Sequence, residues 1–372
     1  MKLSTSKLEL QSVLQKASKA IPTRSTLPVL SCVLFDVQEK GIILRTTDLE
    51  ITITVNLAAS IEQPGNVAIP LQTLVEITNE LPEDARITIA ANENNKIEMV
   101  TEVGSYDIMG KPADEFPALP EVDNRKEVGI SGEALSTLIS KTAFAVSRDE
   151  LKPALTGVLF RFEKDKLTGV ATDGHRLVRY VRNDYKAEDY TGDIIVPRKF
   201  LSLLSGALGG KNSIQMWMGD NHMTAAIGGD TYFTRIIDER FPDFESVIPQ
   251  DNDKELLVNP SALLSAVRRV SIFSNKSTHQ IALRMDREKI QITTEDPEKS
   301  SRAQEKIDGE FSGEELVIGY NASYLKDILS HLGDENAIIK LKTPISATLF
   351  YPGTQNEKSN LTMLLMPIRL ND

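Results

Sequence analysis

The side chains able to do chemistry are few and poorly arranged for catalysis. The acidic pair Asp48 and Glu50, and the region of Asp149 and Asp173, could hold magnesium for phosphoryl chemistry, because carboxylate oxygens suit that hard ion. A metal-dependent nucleic-acid phosphotransfer enzyme using Asp48, Glu50 or Asp173 is therefore the alternative that these residues leave open. Acidic turn residues are common, however, and the other catalytic signatures are missing. The four histidines, His175, His222, His279 and His331, are scattered, and none has a second histidine or a cysteine at helical spacing. No G-x-G-x-x-G, G-x-S-x-G, H-E-x-x-H or C-x-x-C occurs. The nearest approach to a phosphate loop is Gly206-Ala-Leu-Gly209-Gly210-Lys211-Asn212-Ser213, where Asn212 replaces the magnesium-binding hydroxyl and the upstream glycine is out of register. A helix C-cap turn is the better reading of that segment. The expectation is no catalytic residue, no metal and no cofactor.

Composition narrows the class further. The 372 residues are too many for one ordinary core and imply two or three domains. Apolar residues make up 41% and charged residues 26%, as in a soluble globular protein rather than a disordered or fibrous one. The net charge of −11 argues against a surface built throughout to hold nucleic acid or an anionic membrane, so any polyanion contact must be local. The single cysteine, Cys32, sits in the apolar run 27–35 and reads as a small buried hydrophobe in a reducing compartment. No stretch has the length of a membrane span and the first twelve residues lack a signal-peptide core, so a cytoplasmic location is expected.

The elements that must carry these residues recur three times. Each copy opens with an amphipathic helix whose apolar positions step by three and four: Leu10, Val13, Leu14, Ala17 and Ile21, then Leu135, Leu138, Ile139, Thr142 and Val146, then Leu263, Val267 and Val270. A strand pair follows at 28–37 and 42–47, at 153–162 and 167–172, and at 280–285 and 289–294. A short apolar strand then runs into a second helix, with Leu71, Leu74, Val75 and Thr78 matched by Phe200, Leu203, Leu204 and Ala207, and by Leu325, Ile328, Leu329 and Leu332. Alternating strands at 85–91, 96–101, 213–218 and 223–227 complete the pattern. The fold class is α+β: two helices and about eight short strands per copy, with helices covering one face of antiparallel sheet. Polar stretches divide the copies into domains 1–123, 124–251 and 252–372.

Positive charge is segregated on these helices. At about 100° per residue, Lys16 and Lys19, Lys141 and Arg148, and Arg268, Arg269 and Lys276 all fall away from the apolar faces. Arg198 and Lys199 open one second helix, whereas Glu76 and Glu80 mark another. Basic helices repeated within an acidic chain point to a surface that meets phosphates without reading bases.

Several segments are more distinctive than any of these patterns. They are Ala171-Thr-Asp-Gly-His-Arg-Leu177, the terminal Met366-Pro-Ile-Arg-Leu370, Arg24-Ser-Thr-Leu-Pro-Val-Leu30, Thr47-Asp-Leu-Glu50, Val196-Pro-Arg-Lys199 and Arg240-Phe-Pro-Asp243. Over essentially the whole chain they resemble the bacterial DNA polymerase III β subunit family, the sliding clamps. The resemblance implies three clamp-type domains, paired head to tail as a homodimer into a closed ring with helices lining the hole. It implies a non-catalytic processivity factor of the polymerase III holoenzyme that encircles double-stranded DNA without sequence preference and is loaded by a separate clamp loader. It further implies a groove for short peptide motifs of the replicative polymerase, the clamp loader and repair proteins. The matching groove positions are Leu155, Thr172, Gly174, His175, Arg176, Leu177, Pro242, Val247, Ile345, Met363, Met366, Pro367, Ile368, Arg369 and Leu370. Arg24 belongs by the same resemblance to a DNA-contacting loop, and Arg148-Asp149 stands where the family often has glutamine. Tyr106, Ile272 and Phe273 resemble subunit-interface positions, and Asn371-Asp372 extends past the family's usual terminal leucine.

Overall fold

The computed structural model describes residues 1–119, 124–187, 189–210 and 213–370. Six α-helices lie among them: α1 (Lys7–Ala17), α2 (Leu71–Glu80), α3 (Gly132–Thr142), α4 (Arg198–Leu208), α5 (Pro260–Val270) and α6 (Ala322–Leu329). These are the six helices expected from the repeat, and their start signals are local. Ser6 accepts from Glu9 N at the head of α1, Asn259 accepts from Ala262 N before α5, and Asn321 accepts from Ser323 N before α6. Each such cap contributes about 1 kcal/mol. The expected apolar stripes are the buried ones: Leu10, Leu135, Leu138, Leu263, Val267, Leu74, Phe200, Leu204, Leu325 and Ile328 are all fully buried. Each large side chain contributes about 1.5–3 kcal/mol by leaving water. No helix among the described residues is long and apolar enough to cross a membrane.

The strands match the expected ones with one correction. Residues 28–31 and 153–155 open as 3-10 turns, and the strands begin only at Cys32–Gln38 and Gly157–Phe162. Pro28 and Pro153 fix φ near −65° and lack an N–H, which suits the first position of a helical turn and not a paired strand.

Contacts group the chain into two compact units rather than three. The first comprises Met1–Glu133, Glu188–Tyr190 and Ser202–Ile236. In it, the strand Asp230–Arg235 of the central repeat pairs antiparallel with Ile51–Leu57 of the first, placing Thr231 opposite Thr54. This joins the two repeats in one eight-stranded sheet. A separate five-stranded sheet ends on the strand Gly104–Met109. The second unit comprises Ala134–Ala187, Thr191–Leu201 and Ile237–Asp372. There Arg176–Arg182 pairs with Ser359–Leu365, with Arg176 opposite Leu365, so that the central and third repeats share a nine-stranded sheet. A four-stranded sheet ends on Ser301–Asp308. The boundaries read from sequence therefore mark repeats, while backbone pairing across them defines the compact bodies. The first boundary, at 123/124, touches residues 120–123, which lie outside the described residues.

Candidate peptide groove and basic faces

The turn between the strands Leu167–Thr172 and Arg176–Arg182 is built by its own side chains. Thr172 Oγ1 donates to Arg176 O at 2.7 Å and accepts from Gly174 N at 3.1 Å. Asp173 Oδ1 accepts from His175 N at 2.9 Å and Arg176 N at 3.0 Å. Gly174 has φ +89° with open space where a Cβ would stand, so the backbone conformation, not crowding, calls for glycine. Beyond the turn, Leu177 joins an apolar cluster with Leu159, Val170, Ile195, Phe244, Ile248, Leu349 and Leu364.

Exposed apolar side chains neighbour members of that cluster in the chain. Val247 is 54% exposed, Ile345 64% and Met366 45%. Val247 lies between the cluster members Phe244 and Ile248 on a turn capped by Asp243, and Ile345 closely precedes Ala347, which packs on the cluster. Half-buried Leu155 follows Ala154, which also packs there, and Pro242 is exposed beside it in chain order to Phe241. Met366 N donates to His175 O at 2.8 Å, fastening the start of the terminal segment to the turn. Ile368 N then donates to Gly319 O at 2.9 Å. A Cβ on Gly319 would stand 2.6 Å from Ile368 O and 2.7 Å from Leu370 Cδ2, so the Pro367–Leu370 segment seats only against glycine. Arg369 is exposed and Ile368 and Leu370 half-buried. Two expected groove residues present no surface: Leu177 is 2% exposed and Met363 0%. Leu177 and its cross-strand partner Leu364 lie in the cluster and form the floor, whereas Met363 stands opposite Val178 on the other face of the sheet, so its expected place in the groove is corrected.

Arg176 is buried too, and the protein uses every face of its guanidinium. Nε meets Asp173 Oδ2 at 3.1 Å, Nη1 donates to Asp327 Oδ2 at 2.6 Å and Nη2 to Phe144 O at 2.8 Å. The group also lies over the Tyr324 and Phe144 rings, 4.8 and 5.4 Å from their centroids. His175 stacks on Tyr324 at 5.7 Å, so it packs rather than acting as a base. Burial and Asp173 push the Tyr324 hydroxyl pKa up. These residues, with Arg148, Asp149, Lys152 and Arg198, line a cleft of about 690 Å³. Two expected sets, the groove's His175 and Arg176 and the DNA-facing Arg148 and Arg198, thus share one cavity.

Several of the basic residues meet partners within the chain. Lys16 Nζ donates to Asp230 Oδ2 at 2.6 Å, and Lys19 lines a small cavity beside that pair. Lys141 Nζ donates to His331 O at 2.8 Å, and burial lowers its pKa. Arg269 makes a two-pronged pair with Glu305, at 2.8 and 2.6 Å. Lys16, Lys141 and Arg269 thus have their charges or donors held by partners distant in sequence, while the Lys16 and Arg269 side chains stay 41% and 60% exposed. Arg24, Arg148, Arg198, Lys199, Arg268 and Lys276 are exposed.

Two edges escaped the sequence reading. Gly104–Met109, carrying half-buried Tyr106, and Ser301–Asp308 are terminal strands of their sheets. Exposed Val103 and Met109 accompany the first, and Ile272 and Phe273 are 67% and 45% exposed. Ser301 Oγ donates to Phe273 O, tying that apolar turn to the second edge. A terminal strand offers unpaired backbone to a partner, but which strand is terminal depends on pairings invisible in sequence.

The carboxylates considered for metal have other work. Asp48 Oδ1 accepts from Glu50 N and Ile51 N, and Asp149 Oδ1 from Leu151 N. Among the described residues no three histidine, cysteine or acidic side chains gather as a metal site. After α4, Gly209 and Gly210 both have positive φ, as a C-cap turn requires; Lys211 and Asn212 of that segment, and Asn371-Asp372, lie outside the described residues. Cys32 is buried, and desolvation pushes its thiol pKa up.

Repeated α+β units, a built turn beside an exposed apolar rim, basic helices and carboxylates committed to turns define a binding protein of the clamp type. Family models for the DNA polymerase III beta subunit match its N-terminal domain to residues 1–120, its central domain to 129–243 and its C-terminal domain to 245–369. The beta sliding clamp of Pseudomonas putida is 31% identical over 360 residues, 96% of each chain. That of Escherichia coli is 29% identical over the whole of both chains. Among solved structures, the Bartonella birtlesii sliding clamp bound to griselimycin superposes with TM-score 0.93 at 27% identity, and a Pseudomonas aeruginosa clamp with TM-score 0.90 at 30%, each covering both chains completely. The chain belongs to the DNA polymerase III beta subunit family, the non-catalytic sliding clamps of DNA replication.

Proposed function

We propose that two copies of this chain close head to tail into a ring around double-stranded DNA and tether the replicative polymerase through short peptides docked at the 172–177 turn. The observation that carries this reading is the exposed rim of Val247, Ile345 and Met366 over a floor that includes Leu177. Such a surface accepts the apolar anchors of an extended peptide, with Pro242, Thr172, Gly174, His175 and the 366–370 segment framing it. Ring closure is supported by the two terminal strands and the apolar Tyr106, Ile272 and Phe273 near them, since edge strands join by backbone pairing. A ring holds DNA by topology and needs little intrinsic affinity. The exposed Arg24, Arg148, Arg198, Lys199, Arg268 and Lys276 supply weak phosphate contacts that permit sliding, and the net charge of −11 keeps DNA from adhering elsewhere. The same reading assigns domains 1–123, 124–251 and 252–372, a clamp loader and repair proteins as further partners, and a cytoplasmic location.

The test is calorimetric titration with a peptide of the Q-L-x-L-F type, together with the solution mass. Saturable binding by a dimer is expected. A monomer, or a dimer that ignores the peptide, overturns the assignment of ring or groove respectively.

A further inference from the structure

Asp327 stands on α6, in the third repeat, yet its carboxylate is spent on the central repeat. Oδ2 accepts from Arg176 Nη1 at 2.6 Å, and the two residues are 151 positions apart. On its other side Arg176 meets Asp173, and Asp173 in turn holds the backbone of His175 and Arg176. The carboxylate of Asp327 thus reaches the groove turn through two charge-assisted links. Tyr324, one helical turn earlier on α6, receives the Arg176 guanidinium on its ring and stacks on His175. Asp327 itself is at the cleft, not at the Val247, Ile345 and Met366 rim.

We propose that Asp327 is a positioning residue for the peptide groove: it holds Arg176, and through it the 172–176 turn, in the shape that a docked peptide meets. The inference rests on the groove reading above and adds a residue that lies behind the docking surface. Without Asp327 the guanidinium keeps Asp173 on Nε and the Phe144 carbonyl on Nη2, but Nη1 loses its charged partner, and a planar fork fixed at two corners instead of three is less firmly directed.

Removing this carboxylate leaves the helix seated. Leu325, Ile328 and Leu329 stay buried, and Asn321 still caps α6. Beyond its end, His331 stacks on Phe144 with centroids 3.9 Å apart and planes at 12°, while Lys141 holds the His331 carbonyl. Asp327→Asn is therefore expected to fold.

The experiment measures Kd for the Q-L-x-L-F peptide by calorimetry on the full chain, with melting curves alongside. Asp327→Asn is expected to weaken binding about tenfold, the scale of one charge-assisted hydrogen bond. Asp327→Glu, which restores the carboxylate, recovers most of that loss. Arg176→Lys, which keeps the charge without the fork, shows a similar loss and serves if Asp327→Asn melts early. In an Arg176→Gln background Asp327→Asn adds nothing. Parent-like binding by Asp327→Asn, failure of the glutamate to rescue, or a full additive loss in the Arg176→Gln background overturns the positioning role while leaving the groove intact. Absence of binding by the parent overturns the groove reading and this inference with it.

Discussion

Leu49 and Gly174 occupy the same place in two copies of one turn. In the first, Asp48 Oδ1 accepts from Glu50 N and Ile51 N, and Thr47 Oγ1 accepts from Leu49 N. In the second, Asp173 Oδ1 accepts from His175 N and Arg176 N, and Thr172 Oγ1 from Gly174 N. Both central residues have positive φ, +78° for Leu49 and +89° for Gly174. Only glycine adopts that conformation without a steric cost, and Leu49 is also 51% exposed, so little packing offsets it. Leu49→Gly is therefore expected to raise stability by about 0.5–1 kcal/mol, read as a higher melting temperature. Gly174→Ala is expected to lower it by a similar amount. A lower melting temperature for Leu49→Gly would mean that the exposed leucine packs on something in solution.

The groove's floor and rim respond differently to charge. Val247→Glu places a carboxylate on a side chain already in water, so the melting temperature should hold while Q-L-x-L-F peptide affinity falls at least about tenfold. Leu177→Asp instead buries an unpaired charge among Phe244, Leu349 and Leu364 and should unfold the second unit. Calorimetry beside a denaturant melt separates the two. Peptide binding by Val247→Glu equal to the parent's would remove Val247 from the groove.

Much of this arrangement was legible in the chain because burial imposes a period. The stripes Leu10-Val13-Leu14 and Leu263-Val267-Val270 are buried as their spacing demands, and the Thr-Asp turns repeat as text. The hidden part depends on pairing over distance. Lys16 and Asp230 are 214 residues apart, and each alone reads as an ordinary solvated charge. The terminal status of Gly104–Met109 is equally invisible until every other strand has found its neighbour. Leu177 and Met363 both read as groove positions, but only the strand register reveals that Leu177 lies beneath the surface and Met363 on the opposite face of the sheet.

That hidden ion pair separates stability from DNA contact. The Asp230 side chain is 8% exposed, and Lys16 is the cation that compensates it. Lys16→Ala should cost about 1–3 kcal/mol, because it strands a buried carboxylate, and a chemical denaturation curve reads the loss. Arg24→Ala, at an exposed position, should leave that curve unchanged and instead flatten the salt dependence of DNA binding by about one counterion. The opposite pattern, a stability loss for Arg24→Ala alone, would exchange the two roles.

His331 makes the second unit sensitive to acid. Its Nδ1 lies 2.7 Å from Asp327 O, and since a carbonyl only accepts, that nitrogen carries the proton of the neutral ring. Burial lowers the imidazole pKa below its usual 6.5, and nearby Lys141 and Arg176 push the same way, partly opposed by the Asp327 carbonyl and carboxylate. A group whose folded pKa is depressed is neutral when folded while the unfolded chain already binds a proton. The stabilisation is therefore complete above about pH 6.5 and is lost as the pH falls below it, until the folded ring protonates as well. Charging the ring would also set a cation beside Lys141 and Arg176 and weaken its stack on Phe144. His331→Phe keeps an aromatic face and removes the proton site, so its melting temperature should fall less than the parent's between about pH 7 and pH 5. Parallel curves for the two proteins would place the acid sensitivity elsewhere, with His222, whose pKa burial and Arg235 also depress, as the next residue to replace.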